Sequence, residues 1–85
     1  MNVPKVISVE PLAEKQLLVK FSNGIEKIYD CNQQLQRGMF FLLKNEAFFK
    51  AVKVDQGGYG ISWNDDIDLS EYEIWENGKE LSHTK

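Results

Sequence analysis

Residues 17–30, LLVKFSNGIEKIYD, decide the fold that we predict for this chain. They contain two runs of alternating apolar residues, joined at Asn23-Gly24. Both of these turn residues tolerate the positive φ angles that tight turns require, so an Asn-Gly pair between two β-rich runs is a strong hairpin signal. The stretch therefore predicts an antiparallel β-hairpin.

Two loop lengths are compatible with this hairpin, and they create different side-chain pairs. A two-residue loop would place Lys20 opposite Lys27, which sets two like charges against each other. A three-residue loop, a type I turn closed by Gly24 in the left-handed region, pairs Lys20 with Glu26 instead. We favour the second register, which predicts a core face made of Leu17, Val19, Phe21, Ile25 and Tyr29.

The remaining strand signals lie on both sides of the hairpin. A β-branched run at residues 3–9 predicts a first strand that pairs with residues 17–21, which makes an N-terminal three-stranded meander. Apolar residues alternate again in residues 52–54 and 61–63, so a second hairpin is expected around the turn Gln56-Gly57-Gly58. The glycines of this turn are not a phosphate-binding loop, because no Lys-Ser/Thr pair and no helix follow them.

Short helices are predicted from their capping residues. Asp30 and Asn45 can each cap a short helical segment, the second of about two turns. Ser70 and Glu73 have the spacing of a capping box, which predicts a helix over residues 71–76. Together these signals predict the α+β class: an antiparallel sheet, made of the N-terminal three-stranded meander and a second hairpin, with two or three short helices.

The length and composition of the chain predict one small globular domain. We assign residues 1–78 to this domain and residues 79–85 to a frayed C-terminal tail. The composition, 42% hydrophobic and 12% aromatic, argues against intrinsic disorder. No apolar run approaches the roughly 20 residues of a membrane span, and the N-terminus lacks the layout of a signal peptide. Since the single cysteine, Cys31, cannot form an internal disulfide, we expect a cytoplasmic protein.

Residues 39–43, MFFLL, are five consecutive apolar residues. They lack the alternation of a half-exposed strand and are too few for a helix with a polar face. We expect the segment to be buried on more than one side. It is either a core-spanning loop or turn, or one of its sides meets another subunit, which would make the protein a homodimer.

Charge is unevenly distributed along the chain. Residues 1–64 carry eight Lys and Arg against six acids, a net charge of +2, whereas residues 65–85 carry two Lys against seven acids, a net charge of −5. An acidic C-terminal segment suits a basic protein partner, or it is a solvated face that only keeps the protein soluble.

Three other chemistries have candidate residues. Asp65, Asp66 and Asp68 could bind a divalent cation in a metal-binding protein or small enzyme, but they lack the glycine and spacing of an EF-hand. We favour a polar turn at Asp65 and Asp66 after Trp63, with Asp68 preceding the next helix cap. Cys31 would be reactive at a helix N-terminus and inert if buried. The sole histidine, His83, lies in the predicted tail, so no catalytic relay is expected.

A nucleic-acid-associated regulatory role is the alternative that uses the basic residues. Its candidate contacts are Lys20, Lys27, Lys44, Lys50 and Lys53. Neutralising phosphates requires clustered Lys and Arg, so the net charge of −3 argues against nucleic-acid binding by this chain alone.

A series of motifs runs through residues 3–78. In chain order they are Pro4-Lys5-Val6, residues 17–21 with Asn23-Gly24, Tyr29-Asp30, residues 40–43, Phe48, Gly60-Ile61-Ser62-Trp63 and Ile67-Asp68-Leu69-Ser70. This series resembles a bacterial family called domain of unknown function 2442. The resemblance implies a small α+β domain without an assigned activity, cofactor or functional residue. It also implies similarity to components of toxin–antitoxin-like gene pairs.

Our leading hypothesis is a non-catalytic protein–protein interaction module without a cofactor. It would be the acidic, antitoxin-like partner of a small basic protein, encoded by an adjacent gene. Charge would speed association, and a few aromatic anchors would supply most of the affinity. The predicted contact residues are Asp65, Asp66, Tyr72, Glu73, Trp75 and Glu76.

Overall fold

The computed structural model describes residues 3–81, which form two antiparallel sheets and several short helices. The strands within this range are Val6–Leu12 (β1), Gln16–Phe21 (β2), Glu26–Asp30 (β3), Lys53–Val54 (β4), Gly60–Asn64 (β5), Ile67–Ser70 (β6) and Lys79–Glu80 (β7). The α-helices are Glu46–Phe49 (α1) and Glu71–Asn77 (α2), and the 3₁₀ helices are Ala13–Lys15, Cys31–Gln34, Gly38–Lys44 and Gln56–Gly58. The strand orders are β1-β2-β3-β7 and β4-β5-β6. The predicted α+β class is confirmed.

The hairpin of β2 and β3 has the register in which opposite charges meet. Lys20 lies opposite Glu26. The three-residue loop is closed by hydrogen bonds from Phe21 N to Ile25 O and from Gly24 N to Phe21 O, both 2.9 Å long. Gly24 has a φ of 91°, which only glycine adopts without strain. Turn chemistry and charge pairing therefore predicted this hairpin correctly.

β1 extends further than its sequence pattern indicated. It includes Pro11, which lies opposite Leu17 where a connection was expected. Since β1 is at the edge of its sheet, the missing N–H of proline is tolerated there. The chain then reverses at Glu14 and Lys15, which both have a φ of 61°.

The second sheet contains the predicted hairpin and one additional strand. β4 and β5 pair Val54 with Ile61 across the glycine-rich turn, as expected. After β5, Asn64 Oδ1 accepts hydrogen bonds from the backbone N–H groups of Asp66 and Ile67, at 2.8 and 2.9 Å. The polar turn predicted at this point is confirmed. It leads directly into β6, which the sequence pattern had not indicated.

The predicted helix caps are present. Asn45 Oδ1 accepts a hydrogen bond from Phe48 N at 2.9 Å, and Ser70 Oγ accepts one from Glu73 N at 3.0 Å. α1 has one turn rather than two, because the chain leaves it to enter β4. The helical segment capped by Asp30 is likewise a single 3₁₀ turn. None of the helices in residues 3–81 is long and apolar enough to cross a membrane.

One hydrophobic core lies between the two sheets and α2. Four of the five residues predicted for the core face of the hairpin are buried, and Ile25 is half-buried. Trp63 is held between α1 and the Gly38–Lys44 helix: its ring stacks on Phe49 at 6.3 Å, and its Nε1 donates to Phe49 O at 2.9 Å. The buried hydrophobic residues are Val6, Leu17, Val19, Phe21, Tyr29, Cys31, Leu43, Phe49, Ile61, Trp63, Ile67, Leu69 and Ile74.

β7 places residues 79 and 80 in the first sheet, although the sequence assigned them to the frayed tail. Lys79 lies opposite Ile28, and Glu80 lies opposite Lys27. Backbone hydrogen bonds order this short edge strand, and a hydrophobicity pattern does not reveal them. The rest of the predicted tail, residues 82–85, lies outside the described residues.

The apolar run at residues 39–43 lies in the helix Gly38–Lys44, which we call the apolar 3₁₀ helix. The prediction that it is buried on more than one side is confirmed only in part: Phe40, Leu42 and Leu43 pack on the core, but Met39 and Phe41 are exposed. A 3₁₀ helix has three residues per turn, so side chains three apart share a row. The row with Phe40 and Leu43 faces the core, whereas Met39 is 45% exposed and Phe41 is 52% exposed.

Candidate protein-interaction surface

Glu73, one of the predicted contact residues, makes an internal hydrogen bond. Its Oε2 accepts from Tyr29 Oη at 2.8 Å, and Tyr29 Oη in turn accepts from Gln34 Nε2 at 2.8 Å. Tyr29 and Gln34 are both buried. Burial is the main cause that raises the pKa of Tyr29, and the neighbouring Glu73 carboxylate adds to it. The Glu73 carboxylate therefore connects α2 to β3.

Trp75, predicted as an exposed anchor, is half-buried on the first sheet. Its ring meets Phe21 edge to face, with centroids 5.0 Å apart. Lys27 Nζ lies 4.2 Å from the indole centroid and donates a hydrogen bond to Trp75 O. Because Lys27 covers one side of the Trp75 ring and Phe21 packs against it, Trp75 stabilises the fold and has little free surface for a partner.

Tyr72 and Glu76 are the predicted contact residues that α2 presents to solvent. Tyr72 is 60% exposed, and Glu76 is exposed. Residues four apart on an α-helix are neighbours on its surface, so the phenol and the carboxylate lie side by side.

A second exposed tyrosine, Tyr59, lies beside α2 and is not among the six predicted contact residues. It is 62% exposed. Its backbone O accepts a hydrogen bond from Glu71 N at 3.0 Å. Lys5 Nζ lies 4.4 Å from the Tyr59 ring centroid and 3.0 Å from Glu71 Oε2. We call Lys5, Tyr59, Glu71, Tyr72 and Glu76 the tyrosine surface.

The glycines on either side explain why Tyr59 is exposed. A Cβ at Gly58 would lie 2.6 Å from Val6 O, and one at Gly60 would lie 2.4 Å from Leu69 O. The backbone of this turn therefore packs directly on β1 and β6, which leaves the tyrosine side chain outside. An aromatic residue between two glycines in a predicted turn was the sequence signal for this exposure.

Asp65 and Asp66 lie at the other end of the second sheet from α2. They form the exposed β5–β6 turn, whereas α2 begins at the opposite end of β6. Four strand residues at about 3.3 Å each separate the two positions by about 13 Å. The six predicted contact residues therefore do not form one surface.

The lysines considered for nucleic-acid binding are also dispersed. Lys20 pairs with Glu26 on the outward face of the first sheet, whereas Lys27 covers Trp75 on the inward face. The other three lie on successive segments around α1 and β4, namely Lys44, Lys50 and Lys53.

The surroundings of the candidate residues do not favour metal binding or thiol chemistry. Within residues 3–81 no three His, Cys, Asp or Glu side chains converge to hold a metal ion, so Asp65, Asp66 and Asp68 do not converge, and no pocket is present in this range. Cys31 does begin a 3₁₀ helix, but burial, with a smaller effect of Asp30, raises the pKa of its thiol to about 12. His83 lies outside the described residues.

One family of proteins shares this sequence pattern. A family model described as protein of unknown function (DUF2442) matches residues 6–80, from the first residue of β1 to the last residue of β7. No curated protein and no solved structure matches the chain. The match contains both sheets and both α-helices, as the resemblance of the motifs implied. This chain therefore belongs to the DUF2442 family of proteins of unknown function.

Proposed function

We propose that this chain is a non-catalytic protein–protein interaction module whose docking surface is the tyrosine surface. One observation supports this above the others: Tyr59 and Tyr72 are 62% and 60% exposed, and the Tyr59 backbone O accepts a hydrogen bond from the N–H of Glu71, the residue before Tyr72. Tyrosine is enriched among the residues that dominate protein interfaces, because it combines a large apolar ring with a polar tip.

The tyrosine surface is also partly ordered before any partner binds. The Glu71 N–H holds the Tyr59 backbone, and the Lys5 ammonium lies over the Tyr59 ring while it pairs with Glu71. Ordering a free side chain costs about 0.5–1.5 kcal/mol on binding, and contacts already made in the free protein reduce that cost.

Charge favours a basic partner. Lys5 and Glu71 neutralise each other, which leaves Glu76 on α2 and Asp68 on the outward side of β6 as exposed acids nearby. An acidic surface accelerates the encounter with a small basic protein. Such a partner, encoded by an adjacent gene, would make this chain the antitoxin-like member of a pair, as family resemblance suggests.

The test measures binding of this chain to the product of the adjacent gene. The gene product is immobilised at low density, so that each bound chain contacts a single immobilised molecule. We expect Tyr59→Ala and Tyr72→Ala each to weaken binding by about tenfold or more. Glu76→Gln should mainly lower the association rate, and less so at high salt. The matched control is Phe41→Ala, because Phe41 is a similarly exposed aromatic residue outside the tyrosine surface.

Melting temperatures of the variants accompany the binding data, so that loss of folding is distinguished from loss of contact. If the two tyrosine variants remain folded and bind as tightly as the unaltered chain, the tyrosine surface is not the docking site. If the adjacent gene product does not bind at all, the proposed partner is wrong.

A further inference from the structure

The apolar 3₁₀ helix presents large side chains to solvent that the fold leaves uncovered. Met39 is 45% exposed and Phe41 is 52% exposed, while Leu42 is half-buried. Five apolar residues in a row cannot all reach the core from a helix with three residues per turn. This apolar strip is separate from the tyrosine surface, since it lies on a helix that packs mainly on α1, whereas the tyrosine surface lies at the start of α2.

Two cations flank the strip, and two acids lie toward the same end of the molecule. Arg37 precedes the apolar 3₁₀ helix and Lys44 ends it, and both are exposed. Seven residues at about 2.0 Å each place these two cations about 14 Å apart. The Phe40 ring meets the Trp63 ring edge to face, with the ring centroids 6.5 Å apart. Because the β5–β6 turn starts directly after β5, this contact places Asp65 and Asp66 at the same end of the sheet as the strip.

None of these four charges forms an ion pair within residues 3–81. The ion pairs in that range join Lys5 to Glu71 and Lys15 to Glu46. Among the described residues, the strip is therefore an uncovered apolar centre flanked by unpaired Arg37 and Lys44, with unpaired Asp65 and Asp66 toward the same end of the second sheet.

We propose that the apolar 3₁₀ helix is the interface of a twofold-symmetric homodimer. In a twofold interface the same patch faces itself, so it must be complementary to its own rotated copy. A patch with only cations at its border would repel its copy. Here the rotation can bring Arg37 and Lys44 of one protomer to Asp65 and Asp66 of the other, while Met39 and Phe41 of the two protomers meet in the centre.

The size of the strip sets the strength that we expect. Half of an aromatic side chain corresponds to about 100 Å², so the exposed apolar centre is well below the roughly 800 Å² per partner of a standard interface. The charged border must supply the remaining contact. A weak dimer follows, with a dissociation constant on the order of 10–100 µM that rises with salt.

The test is analytical ultracentrifugation of the whole chain from about 5 µM to 1 mM, a range that brackets this dissociation constant. Two charge-reversed variants are compared: Arg37→Glu with Lys44→Glu, and Asp65→Lys with Asp66→Lys. Each variant alone would oppose like charges across the interface and should remain monomeric. An equimolar mixture should form a heterodimer at least as tight as the original dimer, because every pair across the interface is then opposite in charge.

Two controls keep the outcome interpretable. Lys20→Glu with Lys79→Glu makes the same change in net charge on the outward face of the first sheet, and it should dimerise normally. Phe41→Ser removes the apolar centre and should abolish the dimer. The β5–β6 turn should remain folded in the variant with Asp65→Lys and Asp66→Lys, because its hydrogen bonds join Asn64 Oδ1 to backbone N–H groups and do not use the two aspartate side chains.

A chain that stays monomeric at 1 mM at low salt would overturn the proposal. So would reversed variants that dimerise as well as the unaltered chain, or a mixture of the two variants that does not associate.

Discussion

The hydrogen-bonded chain from Gln34 through Tyr29 to Glu73 leads to a test of how α2 is attached. Tyr29→Phe keeps the buried ring and removes only the oxygen that donates to Glu73 and accepts from Gln34, both at 2.8 Å. A hydrogen bond to a charged group contributes about 1.5–3 kcal/mol, and a buried polar group left unpaired costs about 1–3 kcal/mol. Gln34 is only 7% exposed, so water cannot easily replace the lost partner.

We therefore expect Tyr29→Phe to lower the free energy of unfolding by about 2–4 kcal/mol. Domains of this size have a total stability on the order of 4–13 kcal/mol, so the loss would be a large part of it. The assay is urea unfolding followed by tryptophan fluorescence, since Trp75 lies on α2 and Trp63 in the core. The matched control is Tyr72→Phe, which removes an exposed hydroxyl on the same helix and should change stability by less than about 0.5 kcal/mol.

A double-mutant cycle makes the reasoning refutable. If Tyr29 and Glu73 interact directly, then Tyr29→Phe and Glu73→Ala together should cost at least about 1 kcal/mol less than the sum of the single changes. Additive effects, or a Tyr29→Phe variant as stable as the unaltered chain, would show that this hydrogen bond does not hold α2 on the first sheet.

Three further predictions follow from local geometry. Gly58→Ala should destabilise the protein by more than about 2 kcal/mol, because the φ of Gly58 is +77° and the new Cβ would lie 2.6 Å from Val6 O. Gly24→Ala should cost only about 1 kcal/mol, because the φ of Gly24 is +91° but the space around the new Cβ is open. Thermal melts of the two variants compare these losses. Cys31 should resist iodoacetamide at pH 8–9 in the folded protein and react in urea, as mass spectrometry can follow. Because burial raises the pKa of this thiol from 9.0 to about 12, the unfolded state loses its proton first, so stability present below pH 9 should fall by about 1.4 kcal/mol per pH unit between pH 9 and pH 10 in urea titrations. Above pH 10 the raised pKa of Tyr29 should steepen the fall. Asn45→Ala should cost about 1 kcal/mol by removing the acceptor of Phe48 N, whereas Asn45→Asp should retain most of that stability in the same assay.

Local chemistry explains which parts of the fold could be predicted from the sequence. The β2–β3 register follows from the turn residues and from one charge pair, Lys20 with Glu26, all within a few residues of each other. The caps at Asn45 and Ser70 are equally local. By contrast, the burial of the apolar 3₁₀ helix depends on its period of three, which a hydrophobicity pattern alone does not distinguish from a buried loop.

The candidate site was harder to predict because its residues are distant in sequence. Glu73 satisfies Tyr29, 44 positions away, and Lys27 covers Trp75, 48 positions away, so neither α2 residue offers the free surface that its residue type suggested. Tyr59 is tied to the start of α2 by the backbone hydrogen bond from Glu71 N, 12 positions further along the chain. Composition identified the acidic segment, but only the packing separates its exposed members from those that hold the fold together.

The two proposed interfaces are compatible because they lie at opposite ends of the second sheet. The tyrosine surface is at the β4–β5 turn and the start of α2, whereas the apolar 3₁₀ helix is near the β5–β6 turn. A homodimer through the latter would leave both copies of Tyr59 and Tyr72 accessible. Such a dimer would present two docking surfaces, and a partner that is itself dimeric would then bind more tightly than one copy of the tyrosine surface allows. Phe41→Ser should therefore weaken the complex with a dimeric partner while it leaves the affinity of a single site unchanged, a combination that loss of folding would not produce.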